Sequence, residues 1–235
     1  MHCSLHLPDL QAGTVNLRSA VRAILNLCKA TSKALSTMKP VTTLEELEDL
    51  YDTAVPTSLE KVAGHLTPLY RQWVEASRFV IVSTVGPEGT DASPRGDTGP
   101  VVYIADDKTL WLPDWRGNNR IDTLRNIVRD GRASLLFMVP GSNNVVRING
   151  TATVTADANA RGHFDKNGKQ PRTVVVVSIN EIYFQCAKAL MRSALWTGES
   201  PAVPSAGDFI KEFKAGFDGK TYDREYPESA QSRMW

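Results

Sequence analysis

Between Val145 and Val154 the chain alternates without interruption. Val146, Ile148, Gly150, Ala152 and Val154 fall on one face, and Arg147, Asn149, Thr151 and Thr153 on the other. Side chains of an extended chain project to opposite faces in turn, so this period of two predicts a strand with one face in a core and one toward solvent. Such a strand needs partners, and the sequence supplies them. Phe79–Val85 is rich in β-branched residues, and Gly86-Pro87-Glu88-Gly89 is a hairpin turn that returns the chain as Asp91–Asp97. Val101–Ile104 and Leu110–Leu112 read as two strands joined at Asp106-Asp107-Lys108. Ser134–Val139 is a near-continuous apolar run, which predicts burial on both faces, and Val174–Val177 and Ile182–Cys186 read as the last two strands. Short strands with hairpin turns and few long helices predict a mainly β fold, an antiparallel β-barrel with peripheral helices. A doubly wound parallel sheet is disfavoured, because regular helices do not alternate with the strands.

Helices are expected around this core. Thr43 caps a first one with an acidic first turn and a Leu44, Leu47, Leu50 stripe. A second starts near Ser58, and a third runs from Pro68 to Ala76 with Leu69, Trp73 and Ala76 on its apolar face. A short amphipathic helix through Phe209, Ile210, Phe213 and Phe217 is expected in the tail.

The densest chemistry lies between Leu110 and Asn126. Pro113 is expected to stop the strand, Gly117, Asn118 and Asn119 to form a turn, and Asn118 or Asn119 to cap a helix carrying Ile121, Leu124, Ile127 and Val128 and ending at Gly131. Arg116 and Arg120 sit where that helix begins. A helix N-terminus carries partial positive charge, so two guanidinium groups are unfavourable there by themselves. Two readings follow. Either free N–H groups, a glycine turn and two arginine forks make a phosphate cradle beside the flat surface of Trp115, or Asp114 and Asp122 pair with the arginines on a solvated surface. A second cationic group is Lys188, Arg192 and Trp196, spaced i, i+4 and i+8. It reads either as a seat for an anionic aromatic ligand or as a solvated basic face. Arg147 reads either as an exposed charge on its strand or as a ligand contact, the exposed charge being the geometric default.

Composition removes other classes. The formal net charge is +1, which implies no broad basic surface for nucleic acid. No apolar run approaches the roughly 20 residues of a membrane span. Cys3, Cys28 and Cys186 have no paired spacing, and His2, His6, His65 and His163 are scattered, so neither a disulfide framework nor a catalytic metal is expected. Four segments are expected: residues 1–37 as an N-terminal extension, 38–77 as a helical lead-in, 78–197 as the barrel and 198–235 as a tail. Met1–Lys39 has one acidic residue, Asp9, among five basic ones. It reads either as an organellar presequence or, preferably, as an over-long reading frame whose start is Met38. The location expected is cytoplasmic, or organellar if the presequence is genuine.

Four blocks carry a resemblance. They are Ser93-Pro94-Arg95-Gly96-Asp97; Leu112-Pro113-Asp114 followed by Gly117-Asn118-Asn119-Arg120; Arg147-Ile148-Asn149-Gly150; and Cys186-Ala187-Lys188-Ala189-Leu190 with Arg192-Ser193-Ala194-Leu195-Trp196. From about Ser77 to Trp196 the chain resembles the pyridoxamine 5'-phosphate oxidase-related flavoproteins, which share the FMN-binding split β-barrel. The resemblance implies a homodimer with FMN in a cleft between subunits and the phosphate held by Arg95 and by Arg116, Asn118, Asn119 and Arg120. Ser93, Asp114 and Trp115 would line the rest. Lys188, Arg192 and Trp196 match residues that approach the flavin, often from the partner, and Arg95, Arg147 or Lys188 would place positive charge near its ring. True pyridoxamine phosphate oxidases carry an Arg-Leu-His-Asp-Arg type substrate segment that this chain lacks, and a Gln where it has Val145. The implied activity is therefore an FMN-dependent oxidoreductase, with NADH or NADPH as donor and a small-molecule acceptor other than pyridoxamine phosphate. The alternatives are a non-catalytic flavin-binding or sensor protein, or a binder of haem or a deazaflavin. No His sits in the matching blocks, which weighs against haem.

Overall fold

A computed structural model describes residues 38–198 and 201–235. The expected N-terminal extension, residues 1–37, lies outside the described residues. The chain divides into two compact units, Met1–Ala54 and Val55–Trp235. The described part of the first contains helix α1 (Leu44–Glu48), whose cap is the expected one: Thr43 Oγ1 accepts from the Glu46 N–H at 3.1 Å, and the Glu46 carboxylate accepts from the Thr42 N–H at 3.0 Å. The Leu44, Leu47, Leu50 stripe is exposed, because the helix ends after one turn and leaves Leu50 outside it.

In the second unit α2 (Pro56–Glu60) and α3 (Pro68–Ala76) precede the sheet, each with proline in its first turn. Val74 is the fully buried residue of α3; Trp73 is partly buried against the core, and Leu69 is exposed. The strands are β1 (Phe79–Gly86), β2 (Gly89–Gly96), β3 (Tyr103–Ile104), β4 (Thr109–Asp114), β5 (Arg132–Met138), β6 (Val145–Thr155) and β7 (Thr173–Gln185). Helices α4 (Asp122–Arg129) and α5 (Ala158–Gly162) lie between strands, and α6 (Lys188–Ser193), α7 (Ala206–Phe213) and α8 (Gly219–Gln231) follow them. All strands pair antiparallel in the order β2-β1-β5-β6-β7-β4-β3. This is the mainly β split-barrel architecture with peripheral helices.

The long strands β6 and β7 are the backbone of the fold. β5 covers Val145–Thr151 of β6, and β4 covers Thr173–Ser178 of β7, so the pair is flanked by different strands at its two ends. At Asn149/Gly150 the register slips, with Asn149 opposite Glu181 and Gly150 opposite Ile179. A Cβ on Gly150 would collide with the carbonyl oxygen of Ser178, so glycine permits the close approach at which the strands bend. The core fills from the inner faces: Val80, Val82, Leu110, Leu135, Phe137, Val146, Ile148, Val175 and Val177 are buried.

Several expectations change. Val174–Val177 and Ile182–Gln185 belong to one strand, β7, which leaves Cys186 outside it, because the bulge absorbs the irregularity that reads as a gap. Val101 and Val102 are buried, but only Tyr103 and Ile104 pair as a strand. Pro113 does not stop β4; it pairs with Val174. Since β3 reaches only Leu110 and Trp111, β4 is an edge at Pro113 and the missing N–H breaks no ladder. β5 alternates, burying Ala133, Leu135 and Phe137 while Leu136 and Met138 stay partly exposed, so it is not buried on both faces. Ala187, Leu190, Met191 and Ala194, apolar positions that the sequence offers as a core-facing side of the segment after β7, form no core face, since α6 buries no residue. Phe209 and Phe213 of α7 are exposed, and α8, which contains Pro227, was not expected.

Candidate functional site

The turn between β4 and α4 is built from backbone conformations that few sequences adopt. Asn119 has φ 61° and Ile121 has φ 54°, both left-handed. Asparagine tolerates that region, but a β-branched residue there is strained, and such strain is held where the surroundings fix it, often at ligand sites. The expected cap is corrected: Ile121 occupies the N-cap position without a side-chain bond, while Asn118 Oδ1 accepts from the Arg120 N–H at 3.0 Å and shapes the turn instead. The buried face of α4 is Thr123, Asn126 and Ile127; Ile121 and Val128 point outward. Asn126 Nδ2 donates to Thr84 Oγ1 at 3.2 Å in the interior, and Gly86 leaves the space that the Asn126 side chain fills. Gly131, at φ 83°, follows the helix as expected.

This turn forms one wall of a cleft of 790 Å³. Of the residues expected from sequence, Ser93, Arg95, Asp114, Trp115, Arg116, Asn118, Asn119 and Arg120 all line it. β2 supplies the first two, the end of β4 the next, and the turn the rest. Arg95 is held from several sides. Its Nη1 donates to Ser93 Oγ and, at 3.1 Å, to the Pro94 carbonyl; its Nη2 lies 3.5 Å from Thr123 Oγ1 and 3.7 Å from Asp114 Oδ1. Thr123 is buried and donates to Asp91 Oδ2 at 2.5 Å. Burial pushes the Asp114 carboxyl above its ordinary range, and the positive charges of Arg95 and Arg172 oppose that shift without cancelling it.

The two readings of the arginines are resolved unequally. Arg120 Nε lies 2.5 Å from Asp122 Oδ2, so that pair forms, and Asp114 faces Arg95 instead of Arg116. Among the described residues Arg116 has no ion-pair or hydrogen-bond partner. Arg172, just before β7, was not anticipated; its Nη1 donates to Asn119 Oδ1 at 3.2 Å and brings a further guanidinium to the cleft. Asp91, Thr123, Thr173, Met234 and Trp235 also line the cleft and were missed. Only pairing and tail placement bring them there, and no local pattern marks them. Two buried polar atoms of lining residues have no partner among the described residues: Trp115 Nε1 and Thr173 Oγ1. Both atoms are closed to solvent, so a ligand in the cleft does not meet them unless the lining shifts.

The remaining expected residues lie outside the cleft lining. Arg147 Nη1 lies 3.3 Å from Tyr183 Oη on the neighbouring strand, with the guanidinium over the ring. Lys188 and Arg192 are exposed on α6 and have no polar partner among the described residues. The i, i+4, i+8 stripe does not extend to Trp196. Ala194, at φ 49°, ends the helix, and the Trp196 indole N–H donates to the Ser142 carbonyl at 2.8 Å. Among the described residues no group of His, Cys, Asp and Glu side chains is arranged to hold a metal ion, and no helix is long and apolar enough to cross a membrane.

A family model described as pyridoxamine 5'-phosphate oxidase matches residues 66–186, more than half of the 235-residue chain. No curated protein matches. Among solved structures, the chain is similar to HupZ of Group A Streptococcus, at 18% identity over 58% of this chain and 99% of that one, with a TM-score of 0.43. It is also similar to general stress protein 26 of Bacillus anthracis str. Sterne, at 17% identity over 48% and 88%, TM-score 0.36. A further similar structure is a NimC/NimA family protein of Clostridium acetobutylicum, at 11% identity over 50% and 85%, TM-score 0.34.

Proposed function

The chain belongs to the pyridoxamine 5'-phosphate oxidase family, and from that premise we propose that its cleft holds FMN and that it is an FMN-dependent oxidoreductase acting as a homodimer. The observation that supports this most is the convergence on one cleft of Arg116, which has no polar partner among the described residues, and the Arg172 guanidinium beside the Gly117–Asn119 turn. The phosphate would be held by Arg116, Arg172 and the backbone of the Gly117–Asn119 turn, with Arg120 contributing less because Asp122 already neutralises it. When bound, the flavin supplies the redox chemistry, and the protein supplies binding, orientation and electrostatics. Arg95 keeps a fixed positive charge on the cleft wall, since Ser93, Thr123 and Asp114 leave its guanidinium little freedom. Asp114 retains a proton at higher pH than an ordinary carboxyl. The homodimer is supported by Arg147, Lys188, Arg192 and Trp196, the matched residues that stand apart from their own subunit's cleft.

Pyridoxamine phosphate is not the substrate in this reading. It carries a phosphate of its own, and the arginines of the cleft are engaged with the cofactor or with Asp114 and Asp122. Losing a charged partner in a desolvated site costs several kcal/mol, about two or more orders of magnitude in turnover. A planar electron-poor acceptor such as a quinone or nitro compound, with NADH or NADPH as donor, fits better.

Purified protein should be yellow, release FMN on denaturation and bleach when NADH or NADPH is added anaerobically. Colourless protein that also takes up no added FMN in calorimetry overturns the proposal. Tight FMN binding without reduction points to a non-catalytic flavin-binding protein. Robust pyridoxal phosphate and peroxide production from pyridoxamine phosphate refutes the substrate assignment.

A further inference from the structure

Trp235 lies beyond the C-cap of α8 and more than a hundred residues from the turn, yet it lines the same cleft. Its ring meets Trp115 edge to face, with centroids 5.1 Å apart and planes at 79°. Lys166 Nζ sits 3.5 Å from the Trp235 ring centroid and 5.1 Å from that of Trp115, anchored 2.5 Å from Asp97 Oδ1. The tail that carries Trp235 is itself tightly made. Ser205 Oγ and the Gly207 N–H donate to the Asp223 carboxylate at 2.5 and 2.8 Å, and α7 meets α8 where Gly207 and Gly219 face each other with no room for a Cβ. The position of Trp235 therefore has support from both ends: a braced helical pair behind it and an ammonium over its ring.

Two indoles at nearly a right angle form a corner. A planar ring laid flat on one of them presents its edge to the other, and stacked and edge-to-face contacts are the two favoured aromatic geometries. A cleft of 790 Å³ is of the size that small-molecule sites have.

We propose that Trp115 and Trp235 form an aromatic corner that seats a planar aromatic ring, and that Trp235 is thereby a specificity-determining residue of the cleft. This deepens the flavin reading and rests on it, the ring being that of the flavin or of the second substrate.

The full-length protein and its Trp235→Ala and Trp235→Phe variants are titrated with two planar probes: lumichrome, a flavin-type ring without the ribityl phosphate, and menadione, a quinone. Trp235→Ala weakens one of them about fivefold or more, the size of one aromatic contact, and Trp235→Phe restores most of the loss. Selective weakening of lumichrome assigns the corner to the flavin ring, and selective weakening of menadione to the second substrate. Both probes binding equally to all three proteins, or neither binding to the wild type, overturns the proposal. Failure of the flavin reading looks different: FMN does not bind the wild type, while a planar probe still depends on Trp235.

Discussion

Replacing Arg116 with Ala separates phosphate recognition from every other part of flavin binding. Arg116 has no protein partner among the described residues, so its removal leaves no orphaned carboxylate behind and its effect reads directly on the ligand. A charge-assisted hydrogen bond contributes about 1.5–3 kcal/mol, which corresponds to an FMN affinity about 10- to 150-fold weaker. Arg120 is a different case. Its side chain is 80% exposed and it already faces Asp122 at 2.5 Å, so solvent and the carboxylate discount its charge. Arg120→Ala is expected to weaken FMN by less than about fivefold, the scale of an exposed ion pair. Riboflavin has the same ring and ribityl chain without the phosphate, so both variants should bind it as the wild type does. Calorimetric titration of the three proteins with the two ligands gives all the numbers needed. Equal losses for FMN and riboflavin in Arg116→Ala would refute the phosphate assignment. A larger loss in Arg120→Ala than in Arg116→Ala would show that the Asp122 pair opens on binding and that Arg120, not Arg116, is the main phosphate contact.

Three further outcomes are expected. Gly150→Ala places a methyl group against the Ser178 carbonyl at the bend of β6 and β7, and should lower stability by about 1–3 kcal/mol in chemical denaturation; an unchanged midpoint would mean that the bulge shifts freely. Asp114 has its proton affinity raised by folding, so the native state holds more protons than the unfolded one, and stability falls as pH rises through the window above the ordinary carboxyl range; Asp114→Asn should therefore gain melting temperature relative to wild type as pH rises through that window, and a constant or shrinking difference would contradict the burial argument. Sedimentation of the flavin-loaded protein should give a dimer, and a monomer that still holds FMN tightly would refute the shared cleft.

The strand-rich order of the chain was legible from local pattern because alternation and turn residues are properties of neighbouring positions. Val145–Val154, the Gly86–Gly89 hairpin and the Pro68 helix start all stand where the residues place them. The basic turn was legible for a related reason: Arg116, Gly117, Asn118, Asn119 and Arg120 are contiguous, so their meeting requires no knowledge of the fold. Longer-range outcomes were not. That Pro113 lies inside β4 depends on how short β3 is, and that β7 runs unbroken depends on a bulge opposite Gly150. Trp196 leaves its expected stripe because Ala194 turns left-handed, which no helical spacing foretells. Arg172 reaches the cleft because β7 pairs with β4, and Thr123 meets Asp91 and Arg95 because α4 packs beside β2. Trp235 joins Trp115 only through the packing of α7 on α8 and of the tail on the cleft. Sequence alone determined which segments extend, which turn, and where charge concentrates, since these follow from each residue and its neighbours. The tertiary structure decided which distant side chains share one cleft, because that depends on strand register and helix packing summed over the whole chain.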